Sequence, residues 1–348
     1  MKHTIIKELN HFLKAEQCYK ELYGLFPEAF STPVKSWEEF VARTRGKAPR
    51  QAPSPVLSYL SEQEWFSFPD IDVAMVRNNR YCPPFWHRLE FIKLVYVLKG
   101  EATLYLENDK IQMKEGNLCL VSPNVENAVF SQHDEDIVLN IIIKKSTFES
   151  AFSGLLSEKN YLSDYFWHML YERGETQVLS LIKKGADDLT EYVLLLYREL
   201  YREEHPANLM VKSYLMLIFG SLLRYYELEH TYHTGVQSER MSNIIRYMVK
   251  HKATVTLPDL AEQFRLSEGY LSRTIKRETG TTFYSLLKRI RIRTAATMLL
   301  HSDCSIEEIV ETVGYSDTSR FYRNFKDFFG LTPYQYRLKN GWTEKIHN

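Results

Sequence analysis

Two short clusters of basic and hydroxyl side chains near the end of the chain have types and spacings that suit hydrogen bonding to a polyanion. The first cluster contains Ser272, Arg273 and Lys276, and the second contains Thr318, Ser319, Arg320 and Arg323. Spacings of three and four residues place such side chains on one face of a helix. Arginine and lysine bind phosphate groups and the acceptor edge of guanine, while serine and threonine bond to several bases. Both clusters are therefore candidate DNA contacts.

Each cluster falls on the second helix of a predicted helix-turn-helix unit. In the first unit, Thr256 and Asp259 have capping-box spacing, so a helix is expected to begin there, and Ser267 can cap the helix that follows. Arg265 lies in the turn between them, where glycine would adopt a positive φ more easily. A surface helix with a solvated charged face shows the same pattern, so this unit alone is weak evidence for DNA binding.

A second unit of the same design lies further along the chain. Ser305 and Glu308 repeat the capping-box spacing, and Gly314 is expected to end that helix. Either Ser316 or Asp317 can then cap the next one. Three phenylalanines of this last helix are predicted to face the core: Phe321, Phe325 and Phe328. The repeated design favours a DNA-reading function over a purely structural one.

A long helix predicted over Phe283–Leu300 separates the two units. If it holds them apart by the ~34 Å repeat of the double helix, both second helices can enter successive major grooves on one face of the duplex. Lys288 on this spacer is a candidate phosphate contact.

The charges of the chain are distributed unevenly. Residues 240–348 contain 18 Lys and Arg against 11 Asp and Glu, whereas the whole chain contains 44 of each and has no formal net charge. A basic C-terminal part on an acidic body is typical of a polyanion-binding domain joined to a domain with another task.

The C-terminal region closely resembles the DNA-binding domain of AraC-type transcription regulators. The resemblance spans residues 241–340 and is carried by LSEGYLSRTIKRETGTTFYSLLKRIRIRTAATMLL, which ends at Leu300, and by GYSDTSRFYRNFKDFFGLTPYQYR, which is Gly314–Arg337. It implies that the two clusters, together with Gly269, face bases or nearby phosphates. It also implies double-stranded DNA and RNA polymerase as partners.

The preceding region has the pattern of a β-structure. From residue 56 to 184, short runs rich in Val, Ile, Leu, Tyr and Phe alternate with Gly, Pro, Asn and Asp, which is typical of a barrel or sandwich. Within it, Pro83–Phe130 resembles the cupin barrel of many AraC-type regulators, because a Tyr-Val-Leu-x-Gly turn ends at Gly100 and a Gly-Asn-Leu…Pro run occupies Gly116–Pro123.

This region lacks the metal ligands of a metal-binding cupin. The resemblance places His87, Leu89, Lys93 and Asn127 where such a cupin has histidine, histidine, glutamate and histidine. Only one of the four ligands remains, so we predict no metal and no other cofactor.

The same positions are predicted to line a pocket for a small-molecule effector. The candidate binding residues are Arg80, Trp86, His87, Lys93 and Asn127. Basic and amide side chains favour a ligand with hydroxyl or carboxylate oxygens, and a sugar or a sugar acid is the predicted class.

The complete prediction is a multidomain α+β protein with an N-terminal cupin-like β-barrel, a helical hairpin and a C-terminal all-α double helix-turn-helix domain. Its predicted boundaries are a helical extension with a Pro-rich connector over residues 1–55, the barrel over 56–184, the hairpin over 185–230, a linker over 231–240 and the DNA-binding domain over 241–340. The hairpin carries apolar faces on both helices and is expected to form a homodimer.

The function favoured by the sequence is that of a transcription regulator that binds specific DNA in response to an effector. We predict that it is not an enzyme, because the metal ligands of a cupin enzyme are missing. We also predict that it is cytoplasmic, because the chain has neither a signal-peptide pattern nor an apolar run long enough to span a bilayer. Two alternatives remain at this point: a cupin-type metal enzyme with an appended helical domain, and a regulator that answers to a partner protein without a small molecule.

Overall fold

The computed structural model describes residues 2–53, 58–66, 72–145, 147–148, 177–184, 188–202, 208–233 and 239–339. Two compact units divide the chain. The first comprises Met1–Lys145 and Thr176–Thr234, and the second comprises Ser146–Glu175 and Gly235–Asn348. Among the helices in these ranges, none is long and apolar enough to cross a membrane.

Two antiparallel sheets form the centre of the first unit. Its strands are β1 (Tyr59–Leu60), β2 (Val73–Arg77), β3 (Arg88–Leu89), β4 (Ile92–Lys99), β5 (Glu101–Leu106), β6 (Asp109–Lys114), β7 (Leu118–Val121), β8 (Asn127–Phe130), β9 (Ile137–Ile143), β10 (Gln177–Lys183) and β11 (Tyr226–His233). The larger sheet has the order β11-β10-β7-β4-β9-β2, and the smaller has the order β6-β5-β8. The short strands β1 and β3 pair in parallel.

The two sheets enclose a common apolar core. Along β5, the alternate residues Ala102, Leu104 and Leu106 are buried, as expected for a strand with one covered face. They pack with buried residues of the larger sheet that include Val95 and Val121. Sheets in the N-terminal part and helices in the C-terminal part confirm the predicted mixed fold class.

The N-terminal helices belong to the same compact unit as the strands. They are α1 (Lys2–Leu9), α2 (Lys14–Leu25), a 3-10 turn (Pro27–Phe30), α3 (Trp37–Arg43) and α4 (Glu62–Trp65). Tyr19, Phe30 and Phe40 form an apolar cluster with Phe130 of β8. This differs from the predicted separate extension over residues 1–55, because periodicity shows that a helix has an apolar face but not which surface covers it.

The predicted hairpin is present with shorter helices, α5 (Leu189–Leu200) and α6 (Asn208–Tyr225). The prediction of a linker from residue 231 needs correction, since β11 pairs with β10 as far as His233 opposite Gln177. Its residues alternate polar and aromatic types, a strand pattern that the polar composition concealed. Leu196 and Leu222 are fully buried, so these apolar positions stabilise the unit itself.

The second unit contains the helices α7 (Glu239–Lys250), α8 (Leu257–Gln263), α9 (Glu268–Thr279), α10 (Phe283–His301), α11 (Ile306–Thr312), α12 (Thr318–Phe329) and α13 (Pro333–Lys339). Leu271 and Ile275 of α9 are buried, as are Phe321 and Phe325 of α12. The prediction that Phe328 also faces the core is wrong. Phe329 instead packs against Phe325 and Tyr336, and the exposed ring of Phe328 lies under the Arg293 guanidinium, 5.5 Å away.

Candidate DNA interface and sensor pocket

The first helix-turn-helix comprises α8 and α9 and has the predicted caps. The Thr256 hydroxyl accepts a hydrogen bond from the Asp259 backbone N–H at 3.3 Å, and the Asp259 carboxylate accepts one from the Thr256 N–H at 3.1 Å. Ser267 caps α9 by accepting from the Tyr270 N–H at 3.3 Å. Arg265 adopts the positive φ of 52° that the turn requires. These bonds fix where α9 begins and hence which of its residues point outward.

The outer face of α9 carries the predicted cluster. Arg273 and Lys276 are exposed, whereas Ser272 is half-buried. Gly269 lies one turn earlier on this face, and the guanidinium of Arg273 reaches back over it. The helix therefore presents a short basic stripe around a position with no side chain, which allows close approach of a ligand backbone.

The second helix-turn-helix comprises α11 and α12. The Ser305 hydroxyl accepts from the Glu308 N–H at 3.2 Å, which confirms the capping box. Of the two candidate caps for α12, Asp317 is the one used: its carboxylate accepts from the backbone N–H groups of Ser319 at 2.8 Å and Arg320 at 3.2 Å.

The predicted side chains of α12 are brought together on its outer face. Four of them are exposed: Thr318, Ser319, Arg320 and Arg323. The first two turns of α12 thus combine hydroxyl groups with two guanidinium groups, a set that can donate to base edges and to phosphates.

Backbone contacts of α10 hold the two helix-turn-helix units together. Arg291 donates to the carbonyl of Lys252 at 2.8 Å and to that of Ala253 at 3.0 Å, just before α8. On the other side, the Arg291 guanidinium lies 5.8 Å from the ring centre of Tyr315. Gly314 packs so closely on Ala253 that an added Cβ would lie 2.5 Å from the Ala253 Cα. The sequence showed Arg291 only as one more basic residue of the spacer, because its backbone partners have no sequence signature.

A groove of about 500 Å³ lies beside this contact. Lys288 of α10 and Arg320 of α12 both line it, and both are exposed. Tyr284, which is 72% exposed, also lines it and was not singled out from the sequence. The lining also contains Arg291, Tyr315 and Asp317. Three cations at one groove can bind the phosphate backbone of DNA between the two helix-turn-helix units.

The first unit contains a cavity of about 230 Å³. Its walls are formed mainly by apolar and aromatic side chains with few polar groups: Leu60, Trp65, Val76, Asn78, Cys82, Pro83, Phe85, His87, Leu89, Lys93, Val129, Asn140 and Ile142. The described lining contains no aspartate and no glutamate. Two of the predicted effector residues, His87 and Lys93, line this cavity.

Lys93 connects the predicted residues in one network. Its ammonium nitrogen lies 3.1 Å from His87 Nε2 and donates to Asn127 Oδ1 at 2.9 Å. The Asn127 amide in turn donates to the carbonyl of Val125 at 3.0 Å. Backbone pairing between His87 and Asn127 sets this arrangement, because each residue donates its N–H to the carbonyl of the other.

Burial changes the ionisation of both basic groups. It lowers the pKa of Lys93 to about 7. Burial, with the nearby charge of Lys93, also lowers the pKa of His87 to about 3. A neutral imidazole and a lysine that titrates near neutral pH suit an anionic ligand better than a metal ion. Among the residues that the structure describes, no group of three or more His, Cys, Asp and Glu side chains could hold a metal.

The structure does not bring Arg80 and Trp86 to this cavity. Arg80 is buried and donates to Glu16 Oε1 from its backbone N–H at 2.9 Å and from Nε at 3.1 Å. Arg77 binds the other oxygen of the same carboxylate at 2.8 Å. Burial raises the pKa of Glu16, but the hydrogen bonds of Arg80 and the charge of Arg77 outweigh it and hold that pKa below its usual value. Arg80 therefore fastens helix α2 to the strands, a long-range contact that sequence proximity to His87 could not reveal.

Trp86 is half-buried and is also absent from the cavity walls described above. Its backbone N–H donates to the carbonyl of Val34 at 2.9 Å, which joins this segment to the N-terminal helices. Trp65, Phe85 and Asn140 line the cavity instead. They lie on separate elements, and nothing in the sequence placed them together.

Comparison with known proteins finds a family match within the second unit. Residues 260–339 match the helix-turn-helix domain family. YdeC of Bacillus subtilis, an uncharacterized HTH-type transcriptional regulator, is 23% identical over 264 residues, which cover 75% of this chain and 88% of YdeC. RafR of Pediococcus pentosaceus, the raffinose operon transcriptional regulatory protein, is 30% identical over 149 residues, which cover 41% of this chain and 54% of RafR.

Solved structures and longer relatives are also similar to this chain. The C-terminal domain of AraT, a response regulator from Geobacillus stearothermophilus, is 36% identical with a TM-score of 0.30, and the match covers 32% of this chain and 95% of that domain. Uncharacterized HTH-type transcriptional regulators of Staphylococcus aureus match at 24% identity, and the chain spans about a third of their length.

Proposed function

We propose that this chain is an AraC-type helix-turn-helix transcription regulator. It acts in the cytoplasm and binds specific double-stranded DNA through both helix-turn-helix units. The observation that carries this proposal is the packing of Gly314 on Ala253, together with the hydrogen bonds of Arg291. These contacts hold the two helix-turn-helix motifs in a fixed relative position. Two helix-turn-helix motifs in a fixed relative position can recognise one continuous, asymmetric DNA site. RNA polymerase is the partner through which such binding would act on transcription.

Selection of bound DNA from a random pool, followed by footprinting, tests this proposal. We expect two conserved sub-sites separated by about one helical turn. Recovery of a single short sub-site would contradict reading by both units. In vitro transcription from a promoter containing the selected site, with and without the protein, tests the effect on RNA polymerase.

The cavity of the first unit is proposed to bind the effector. The network of Lys93, His87 and Asn127 supports this proposal, because it places at an apolar cavity a basic group that has no carboxylate partner among the described residues. A ligand with hydroxyl or carboxylate oxygens would satisfy such groups. The similarity to RafR, named for a raffinose operon, favours testing sugars among the first ligands.

A homodimer is proposed to form through helix α6. One face of α6 is buried within the first unit. On the other side, Leu209 is 77% exposed, Met216 is 57% exposed, and Gly220 further along the helix is exposed as well. An apolar helical surface with a glycine allows close approach of a second copy. Sedimentation at micromolar concentration should show a dimer that Met216→Asp dissociates, whereas Leu196→Asp would unfold the unit because Leu196 is buried.

A further inference from the structure

The cavity places a buried ammonium group in surroundings that do not neutralise it. Lys93 is 3% exposed, and its hydrogen-bond partners, Asn127 and His87, are neutral. The titratable side chains of the described lining besides Lys93 are His87 and Cys82, so no carboxylate of this lining faces the ammonium. An ion that is buried without a counter-ion is strongly disfavoured unless another group supplies the charge.

The same cavity contains a second unsatisfied group, on the neighbouring strand. Asn140 lines the cavity, and its Oδ1 atom is buried and has no hydrogen-bond partner in the part of the chain that the structure describes. Strand register pairs Lys93 with Ile142 and Val95 with Asn140. Lys93 and Asn140 therefore lie diagonally on one face of the sheet, where such neighbours are roughly 7–8 Å apart. A buried amide oxygen of this kind requires a donor.

We propose that the cavity binds a small organic acid whose carboxylate pairs with Lys93, whose hydroxyl or amino group donates to Asn140, and whose remaining atoms are apolar. The apolar part would pack against Trp65, Phe85 and Ile142, which line the remaining walls. This inference rests on the proposed effector function and narrows its ligand class. A sugar or a sugar acid carries several hydroxyl groups, and the aromatic and aliphatic walls would leave most of them unpaired.

The single cation favours a carboxylate over a phosphate. A phosphate carries up to two negative charges at neutral pH and is usually bound by several donors, often an arginine fork or a row of backbone N–H groups. In the described lining, Lys93 is the one side chain that can carry a positive charge near neutral pH, since the pKa of His87 is far lower. One ammonium balances one carboxylate.

A matched ligand panel on the full chain tests the assignment. The probes are mandelate, 3-phenyllactate, 2-hydroxyisocaproate, phenylalanine and leucine, each with its primary amide and with the analogue that lacks the hydroxyl or amino group, together with glucose, raffinose and gluconate. Thermal stabilisation and calorimetry are measured on the wild type, on Lys93→Met, on Asn140→Leu and on the control Lys114→Met, since Lys114 is exposed on β6.

We expect at least one hydroxy or amino acid of the panel to bind. Its amide should bind about tenfold or more weakly, because each 1.4 kcal/mol changes affinity tenfold and the lost pair is buried. Lys93→Met should abolish this preference, Asn140→Leu should abolish the preference for the hydroxyl or amino group, and Lys114→Met should change neither. Lys93→Met should fold, because a thioether of similar length replaces the ammonium.

A spectroscopic measurement on the wild type keeps the test independent of how Lys93→Met folds. With 13C-labelled lysine, the Cε resonance that titrates near neutral pH reports Lys93, and the acid should move its midpoint upward because the carboxylate favours the charged amine. Absence of that upward shift at saturating acid would overturn the pairing. Binding of none of the acids, or equal binding of the amides or sugars, would overturn the ligand class.

Affinity for the selected DNA site, measured with and without each ligand, separates this inference from the effector function. A sugar that binds in the cavity and alters DNA affinity would leave the effector function standing and overturn the acid. An acid that binds through Lys93 without altering DNA affinity would leave the site assignment standing and overturn its regulatory role.

Discussion

The ammonium of Lys93 lies 3.1 Å from Nε2 of His87, and a backbone carbonyl on the other side of the ring fixes the tautomer of the imidazole. His87 Nδ1 lies 2.9 Å from the carbonyl of Phe85, which can only accept a hydrogen bond, so the proton must be on Nδ1. Nε2 is then free to accept from the ammonium. A protonated imidazole would face a like charge, and burial and this charge together lower the pKa of His87 to about 3.

The first prediction concerns the pH dependence of stability. Burial lowers the pKa of Lys93 in the folded chain to about 7, whereas an unfolded lysine has a pKa of about 10.4. Between these values the unfolded chain binds a proton that the folded chain does not, so this group makes the folded state more stable as pH rises. Below pH 7 Lys93 is charged in the folded chain, so the buried charge lowers the unfolding free energy by its full amount.

Urea unfolding of the wild type and of Lys93→Met at pH 7, 8 and 9 checks this prediction. The unfolding free energy of the wild type should rise relative to that of the variant by up to about 1.4 kcal/mol per pH unit. A constant difference between the two proteins is expected from the lost hydrogen bonds and does not affect the slope. Parallel pH profiles would show that Lys93 titrates normally.

The second prediction separates base contacts from phosphate contacts. Arg273→Ala and Arg323→Ala remove exposed guanidinium groups from the outer faces of α9 and α12, and each should cost about 1–3 kcal/mol at its own sub-site and relax the sequence preference there. Binding to DNA with a scrambled sub-site should change much less. Equal losses on all sequences would show that these helices do not read bases.

Lys288 and Arg320 are predicted to contact phosphate, because both line the groove beside α10. Substitution of either by alanine should weaken binding to all sequences alike and reduce the slope of log affinity against log salt by about 1. Electrophoretic mobility shifts at four salt concentrations measure this slope. A change confined to one base position would instead assign a base contact.

The local parts of the DNA-binding unit could be predicted from the sequence, and the long-range contacts could not. Capping boxes act within four residues, so Thr256 with Asp259 and Ser305 with Glu308 were found directly. Arg291 and Ala253 are distant in the chain, and Arg291 binds only a carbonyl there, which any residue provides. Phe328 was wrongly predicted to be buried, because residue spacing shows which face of a helix is apolar but not how far along the helix the core extends.

The sensor cavity shows the same division. Lys93, His87 and Asn127 could be placed together because a family resemblance supplies a known register. Arg80 was assigned to the cavity because it is close to them in the chain, but its partner Glu16 lies on a helix whose packing the sequence did not indicate.

The third prediction concerns Arg265, which adopts a φ of 52° in the turn between α8 and α9. A side chain in the left-handed region costs roughly 1 kcal/mol or more relative to glycine. Part of this gain is offset because glycine is more flexible in the unfolded state. Arg265→Gly should therefore raise the unfolding free energy slightly, by about 0.5 kcal/mol. Arg265→Ala is the control, because it removes the side chain and keeps the strain. Equal stability of the two variants would contradict strain at this position.

The last prediction uses two glycines that differ only in their surroundings. Gly314 and Gly330 both follow a helix of the second unit and have similar positive φ values, 85° and 70°. An added Cβ at Gly330 would meet no atom within 4 Å, whereas at Gly314 it would lie 2.5 Å from the Cα and 2.8 Å from the carbonyl carbon of Ala253. Gly330→Ala should therefore lower stability by about 1 kcal/mol, from backbone strain alone.

Gly314→Ala adds a collision with backbone atoms that cannot rotate away, so we expect a loss of several kcal/mol in total, at the upper end for single substitutions. It should also disturb the fixed relative position of the two helix-turn-helix motifs. In the fraction that remains folded, binding to the complete site should therefore fall more than binding to either sub-site alone, while Gly330→Ala should leave that ratio unchanged. Chemical unfolding and binding titrations on the three DNA fragments measure both effects. Equal effects of the two substitutions would show that the contact with Ala253 does not hold the two helix-turn-helix motifs together.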